Sequence, residues 1–181
     1  MPKWSDTDKR LGNNKKRVTE LSGADYLPVA HQFTISNFQA TIQESKTLIS
    51  VSVFDGERIA HFVFKKTRLG VEANWSTVYK RYQGLGIGKQ VYKKIIKLYG
   101  HLFSSATLTG ETGFGSFNLY QKLSKSKIYE CFLVDSKSLK ATPVKTITKD
   151  LMRYKKDRFV IQLKEIKWLS IYEKPKKATD S

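Results

Sequence analysis

Between residues 82 and 92 the chain reads Tyr-Gln-Gly-Leu-Gly-Ile-Gly-Lys-Gln-Val-Tyr, and no other stretch restricts its fold so strongly. Gly84, Gly86 and Gly88 alternate with other residues and lead into a segment where Ile87, Val91, Ile95 and Leu98 recur at helical spacing. Glycine reaches backbone conformations and close approaches denied to other residues. The first N–H groups of a helix have no partner within it and carry the positive end of its dipole. A glycine loop opening a helix is therefore a cradle for an anion, and it points to a phosphate-bearing ligand. Lys89, Lys93 and Lys97 repeat every four residues on a second face, which reads as solvated, with Lys89 close enough to the loop to meet a phosphate. Gly100 closes the helix.

Two familiar phosphate motifs do not fit. The P-loop pattern would need Gly at 83 and a hydroxyl at 90, where Gln83 and Gln90 stand; the dinucleotide pattern begun at Gly84 would need Gly at 89, which is Lys89. What remains is Q-x-x-G-x-G, formed by Gln83, Gly86 and Gly88. Upstream, runs 48–54 and 58–64 are rich in β-branched and aromatic residues and flank Asp55-Gly56-Glu57, a hairpin signal. A third run, 71–79, leads directly into the glycines. Downstream, 106–109 reads as a short strand and 116–123 as a helix containing Leu119-Tyr120-Gln121-Lys122-Leu123.

The Q-x-x-G-x-G string between a strand and an amphipathic helix resembles the acetyl-CoA pyrophosphate loop of the GNAT acetyltransferase superfamily, usually [QR]-x-x-G-x-[GA]. Hairpin, strand, glycine loop and helix follow one another as in the first half of that fold, and the resemblance covers about residues 48–134. It implies acetyl-CoA as acyl donor, with Gln83, Gly84, Leu85, Gly86, Ile87, Gly88 and Lys89 around its diphosphate. Val78 and Tyr79 take the place of the splayed strand whose backbone holds the pantetheine arm. The segment around Tyr120 looks like the family's x-L-Y-x-K-x-G-F signature, whose tyrosine protonates the departing thiolate. Two positions depart from it: Gly113 stands where Asn is common, and Ser124-Lys125 replaces Gly-Phe. For a general base the resemblance suggests Glu72, early on the strand before the loop, where strict alternation would put Glu72, Asn74 and Ser76 on one face; Glu111 is the alternative.

The expected fold is α/β, a GNAT-like mixed, mainly antiparallel sheet of six to seven strands flanked by helices. A basic tail over 1–17, one domain over 18–173 and a C-terminal tail over 174–181 complete the expectation. Residues 18–43 should supply a first strand and helical segments, and 137–149 a loop. At 181 residues with 40% hydrophobic content the chain can bury a core. No apolar run approaches the roughly 18 to 20 residues that span a bilayer, and the N-terminus lacks a signal-peptide core, so a cytoplasmic protein is expected. Cys131, the single cysteine, sits in an apolar context and reads as core; His31, His61 and His101 show no metal-ligand spacing, and no metal is expected.

Thirty-three basic against sixteen acidic residues give a formal charge of +17. Such an excess points to a polyanionic partner, nucleic acid or ribonucleoprotein, and away from cationic small substrates, which it repels. Basic residues are dense in 1–17 and in 136–181, where Tyr154, Phe159, Trp168 and Tyr172 are interleaved and read chiefly as strand core. Three functions stay open: an N-acetyltransferase whose acceptor amine is carried on or beside tRNA, DNA or a ribosome; a small-molecule amine acetyltransferase; and a non-catalytic nucleic-acid-binding protein on the same scaffold. Oligomeric state is left open, a dimer included.

Overall fold

A computed structural model describes residues 27–104, 114–148 and 159–165. Among the described residues nine strands form one sheet in the order β1-β2-β3-β4-β5-β6-β9-β7-β8. The first five, β1 (Val29–Ile35), β2 (Phe38–Glu44), β3 (Leu48–Asp55), β4 (Glu57–Thr67) and β5 (Gly70–Val78), are an antiparallel meander. The Asp55-Gly56-Glu57 turn joins β3 to β4 as its sequence predicts. Helix α1 (Ile87–Tyr99) then crosses over to β6 (His101–Phe103), which lies parallel to β5. Helix α2 (Phe114–Ser124) precedes β7 (Tyr129–Asp135), β8 (Ala141–Pro143) and β9 (Phe159–Glu165), and β9 inserts antiparallel between β6 and β7.

The expected class, mixed and mainly antiparallel, is the one observed, with more strands than six or seven. Two of the additional strands come from segments read otherwise. Residues 18–43, expected to supply a first strand and helical segments, form in their described part no helix but the β1–β2 hairpin, because Phe38, Ala40 and Ile42 alternate inward on β2 while β1 remains largely exposed at the sheet edge. The expected 137–149 loop is interrupted by the three-residue β8, which pairs with β7. The expected strand 106–109 and both expected tails lie outside the described residues.

The two faces of the meander differ. Ile42, Ile49, Val51, Val53, Ala60, Phe62, Phe64 and Ala73 share one face and pack under α1. The opposite face carries Ser50, Ser52, His61 and Thr77, all buried, with Ser50 Oγ 2.8 Å from His61 Nε2. From α1 the core receives Ile87, Val91, Tyr92, Ile95 and Ile96, each worth about 1.5–3 kcal/mol relative to exposure for an aliphatic side chain. Leu98, expected on this stripe, is 37% exposed instead; Tyr92 and Ile96 complete the buried stripe in its place.

Candidate functional site

Strands β5 and β6 meet at a single register pair, Glu72 with Phe103. β5 then runs on from Ala73 to Val78, bonded to β4, while β6 ends. A cleft of about 570 Å³ opens beside this stretch, lined by Trp75 to Val78, by the glycine loop, by the first turn of α1 and by Asn118, Leu119 and Lys122 of α2. The backbone shows why the gap is polar. The Tyr79 N–H donates to the Ile59 carbonyl at 2.8 Å, so alternation turns the main-chain groups of Val78 and Ser76 away from β4 and into the cleft. The Gln83 side chain donates from Nε2 to the Val78 carbonyl at 2.9 Å, bracing the loop against the strand end.

A bulge sets the direction of the wall. Val63 pairs with Trp75 and Phe64 with Ala73, so Asn74 has no partner and the alternation shifts by one. Glu72, Asn74 and Ser76 therefore do not share a face, correcting the sequence expectation: Ser76 stands with Phe62 on the α1 side, whereas Glu72 stands with Trp75 and Thr77 on the opposite side. Trp75 and Thr77 from one face, and Ser76 and Val78 from the other, all line the cleft, which is thus open to both sides of the sheet.

At the loop, Lys80–Tyr82 make a 3₁₀ turn, and Gly84 (φ 85°) and Gly86 (φ 78°) take left-handed conformations that turn the chain into α1. Gly86 is the N-cap of α1, no side chain caps it, and the first turn holds no acidic residue. The amides of Ile87, Gly88 and Lys89 have no partner within the helix, while that of Gln90 makes the first helical bond, to Gly86. These amides, with Lys89 and Lys122, give the cleft its positive end; no carboxylate lines it among the described residues. The approach is framed by Arg81, which pairs with Glu57 at 3.1 Å and lies over the Tyr82 ring, and by the Tyr82 hydroxyl donating to Asp55 at 2.7 Å.

Of the expected site residues, Val78, Gln83, Gly84, Gly86, Ile87, Gly88 and Lys89 line the cleft together. Tyr79 and Leu85 do not, and Leu85 is exposed. Nor do Glu72 and Tyr120, which lie instead beside the β5–β6 junction at Phe103. Tyr120 is fully buried and its hydroxyl donates to the Phe103 carbonyl at 3.0 Å; burial pushes its pKa well above the ordinary tyrosine value, and Glu72 adds to the rise. Glu72 is half-buried, and burial holds its carboxyl above the usual range against the opposing charge of Lys65. Glu111 lies outside the described residues. Cys131 is buried with its thiol pushed up to about 12, as befits a core residue. No cluster of metal ligands occurs among the described residues, and no helix there is long and apolar enough to cross a membrane.

Sequence reasoning missed Trp75, Thr77, Asn118 and Lys122. The i, i+4 spacing of Asn118 and Lys122 was a legible signal for a shared helical face. Trp75 required knowledge of the bulge.

The order of hairpin, strand, glycine loop and helix is the one the GNAT resemblance implies. No family model and no curated protein sequence matches the chain. Among solved structures, it is similar to the ribosomal-protein-S18-alanine N-acetyltransferase from Escherichia coli, at 14% identity over 90% of each chain and a TM-score of 0.42. It is also similar to a structure named as a streptothricin acetyltransferase from Bacillus anthracis in complex with acetyl coenzyme A, at 14% identity over 81% of this chain and 94% of that one, with a TM-score of 0.40. A third is nourseothricin acetyltransferase, at 10% identity over 83% and 91% and a TM-score of 0.39.

Proposed function

We propose that this chain is an acetyl-CoA-dependent N-acetyltransferase. The observation that carries the reading is the gap beside β5: uncapped helix amides and two lysines at one end, main-chain groups of Ser76 and Val78 along its wall, and, beyond its lining, the β5–β6 junction where Glu72 pairs with Phe103 and Tyr120 donates to the Phe103 carbonyl. A ligand with a diphosphate at one end, an amide-bearing arm and a reactive carbonyl at the other matches that sequence of groups. The amides of 87–89 with Lys89 and Lys122 hold the diphosphate, and the backbone of Ser76 and Val78 pairs with the arm. The bound donor supplies an activated thioester carbonyl.

The acceptor enters from the face carrying Trp75, Thr77 and Glu72, opposite to α1. Its neutral amine attacks the carbonyl, a C–N bond forms and the C–S bond breaks. The amine proton leaves through water to Glu72, and Tyr120 protonates the thiolate, exchanging its Phe103 acceptor for sulfur. A lysine-like amine with pKa about 10.4 is neutral to about one part in a few thousand at pH 7, whereas an α-amine near 7.7–8.0 is neutral at roughly a tenth. An α-amine therefore places least demand on a general base. With the +17 charge, an α-amine borne by or beside a polyanion, such as charged tRNA, DNA or a ribosome, is the acceptor class we favour.

Calorimetry with acetyl-CoA, followed by transfer of labelled acetyl to charged tRNA, to DNA-bound or ribosomal basic proteins and to free polyamines, tests the reading. Saturable heat and label on a polyanion-associated amine are expected. No heat with acetyl-CoA would overturn the enzyme assignment, and label on polyamines alone would overturn the acceptor class.

A further inference from the structure

Acidic side chains among the described residues lie only on strands; neither helix carries one, and none occurs in 80–104 or 114–128. Cations are abundant there. Lys89, Lys93 and Lys97 follow one face of α1, and Lys125 and Lys127 extend from the end of α2. The two helices adjoin: the Tyr92 and Tyr120 rings are 5.7 Å apart, and Lys89 and Lys122 line one cleft. Lys89 and Lys122 thus share one cleft, Lys93 and Lys97 continue along α1, and Lys125 and Lys127 follow the end of α2.

In the sequence a lysine row reads as a solvated face. The structure adds that no carboxylate of either helix offsets it, so the i, i+4 repulsions of α1 are left uncompensated by the helices themselves. An anionic partner relieves them. From Lys89 to Lys97 the row rises about 12 Å, the span of three to four phosphates of one strand at about 3.4 Å each. Every cation on the two helices is lysine, a point charge suited to phosphate rather than to bidentate reading of base edges.

We propose that the helical side, from the lysine row of α1 across to Lys125 and Lys127, is a docking surface for the phosphodiester backbone of a nucleic acid, bound without regard to sequence. The proposal rests on the polyanion part of the function above, not on acetyl transfer. Lys89 and Lys122 are shared with the cleft; Lys93, Lys97, Lys125 and Lys127 are outside it.

The test is fluorescence anisotropy of full-length protein with a labelled 20-nucleotide RNA and a DNA duplex of equal length, across a salt titration. One variant combines Lys93→Gln, Lys97→Gln, Lys125→Gln and Lys127→Gln; a control combines Lys46→Gln, Lys137→Gln, Lys140→Gln and Lys145→Gln, exposed lysines off the helices. Both remove the same charge, and melting curves report that both fold. Tight binding to either nucleic acid is expected, with the helical variant losing at least about tenfold and its log–log salt slope falling by about 3, at 0.7–0.9 per phosphate contact. The control should stay within about twofold. Equal losses in the two variants would overturn the proposal, as would equally tight binding of polyglutamate, or binding to vesicles of anionic lipid without binding to either nucleic acid. Acetyl-CoA calorimetry on the unaltered protein keeps the two readings apart: heat without nucleic-acid binding sinks the docking surface alone, and nucleic-acid binding without heat sinks the enzyme alone.

Discussion

Glu72 and Tyr120 stand on either side of the point where β5 and β6 part, and each is perturbed by burial. The resemblance named both from the sequence, but nothing in the sequence told that Tyr120 would be committed to the Phe103 carbonyl, because that bond joins residues brought together only by the docking of α2 on β7 and β9. Tyr120→Phe leaves a buried carbonyl without its donor, costing about 1–3 kcal/mol, and removes the proposed acid. A fall in kcat of about 100-fold or more at unchanged KM for acetyl-CoA is expected; lowered stability with normal kcat would leave the tyrosine a brace. For Glu72 the raised pKa means that the carboxylate form appears only at higher pH than usual. The acid limb of the kcat/KM profile should lie above the ordinary carboxylate value and vanish in Glu72→Gln. The sign for stability is opposite: folded Glu72 binds its proton more tightly than unfolded, so acidification through that window favours the fold.

Among elements, β5, the glycine loop and α1 form most of the cleft wall, and most of that wall was legible. Periodicity gave α1 nearly to the residue, because five apolar side chains on one stripe and a glycine at each end leave few alternatives. Alternation failed on β5, where one extra residue at Asn74 moves everything before it to the other face; a bulge depends on the partner strand and leaves little trace in sequence. The glycines divide in use. Gly86 has φ 78° and open space around a prospective Cβ, so Gly86→Ala pays only backbone strain, about 1 kcal/mol. Gly88 is helical, and a Cβ there would make ordinary contacts with Leu119 and Phe62 at 3.7 and 3.8 Å. Gly88→Ala should therefore raise stability by up to about 1 kcal/mol while placing a methyl in the cleft wall and weakening acetyl-CoA binding. Thermal melts paired with calorimetry separate the two variants, and tighter cofactor binding by Gly88→Ala would contradict the assigned cradle.

For the whole molecule, the dominant physical facts are the nine-stranded sheet and the charge of +17. Self-repulsion of that size opposes the compact state and is screened as the Debye length falls from about 30 Å at 0.01 M salt to about 8 Å at 0.15 M. The melting temperature should rise by a few degrees over that range in sodium chloride; a flat or falling curve would mean that ion pairs such as Lys66 with Glu44 outweigh the repulsion.

The sequence by itself determined the elements whose signals are local: the Asp55-Gly56 hairpin, the glycine turn, the amphipathic α1, the apolar setting of Cys131 and the overall charge. These follow from backbone sterics and from burial periodicity within a dozen residues. The tertiary structure alone decided what depends on partners distant in the chain. It ended β6 beside β5 and so opened the cleft, inserted β9 between β6 and β7, turned Glu72 and Trp75 to the face opposite α1, and brought Lys89 and Lys122 of two helices to one cleft. Such features arise from register and packing between segments, where the free energy lies in the match of two surfaces and neither surface alone records it.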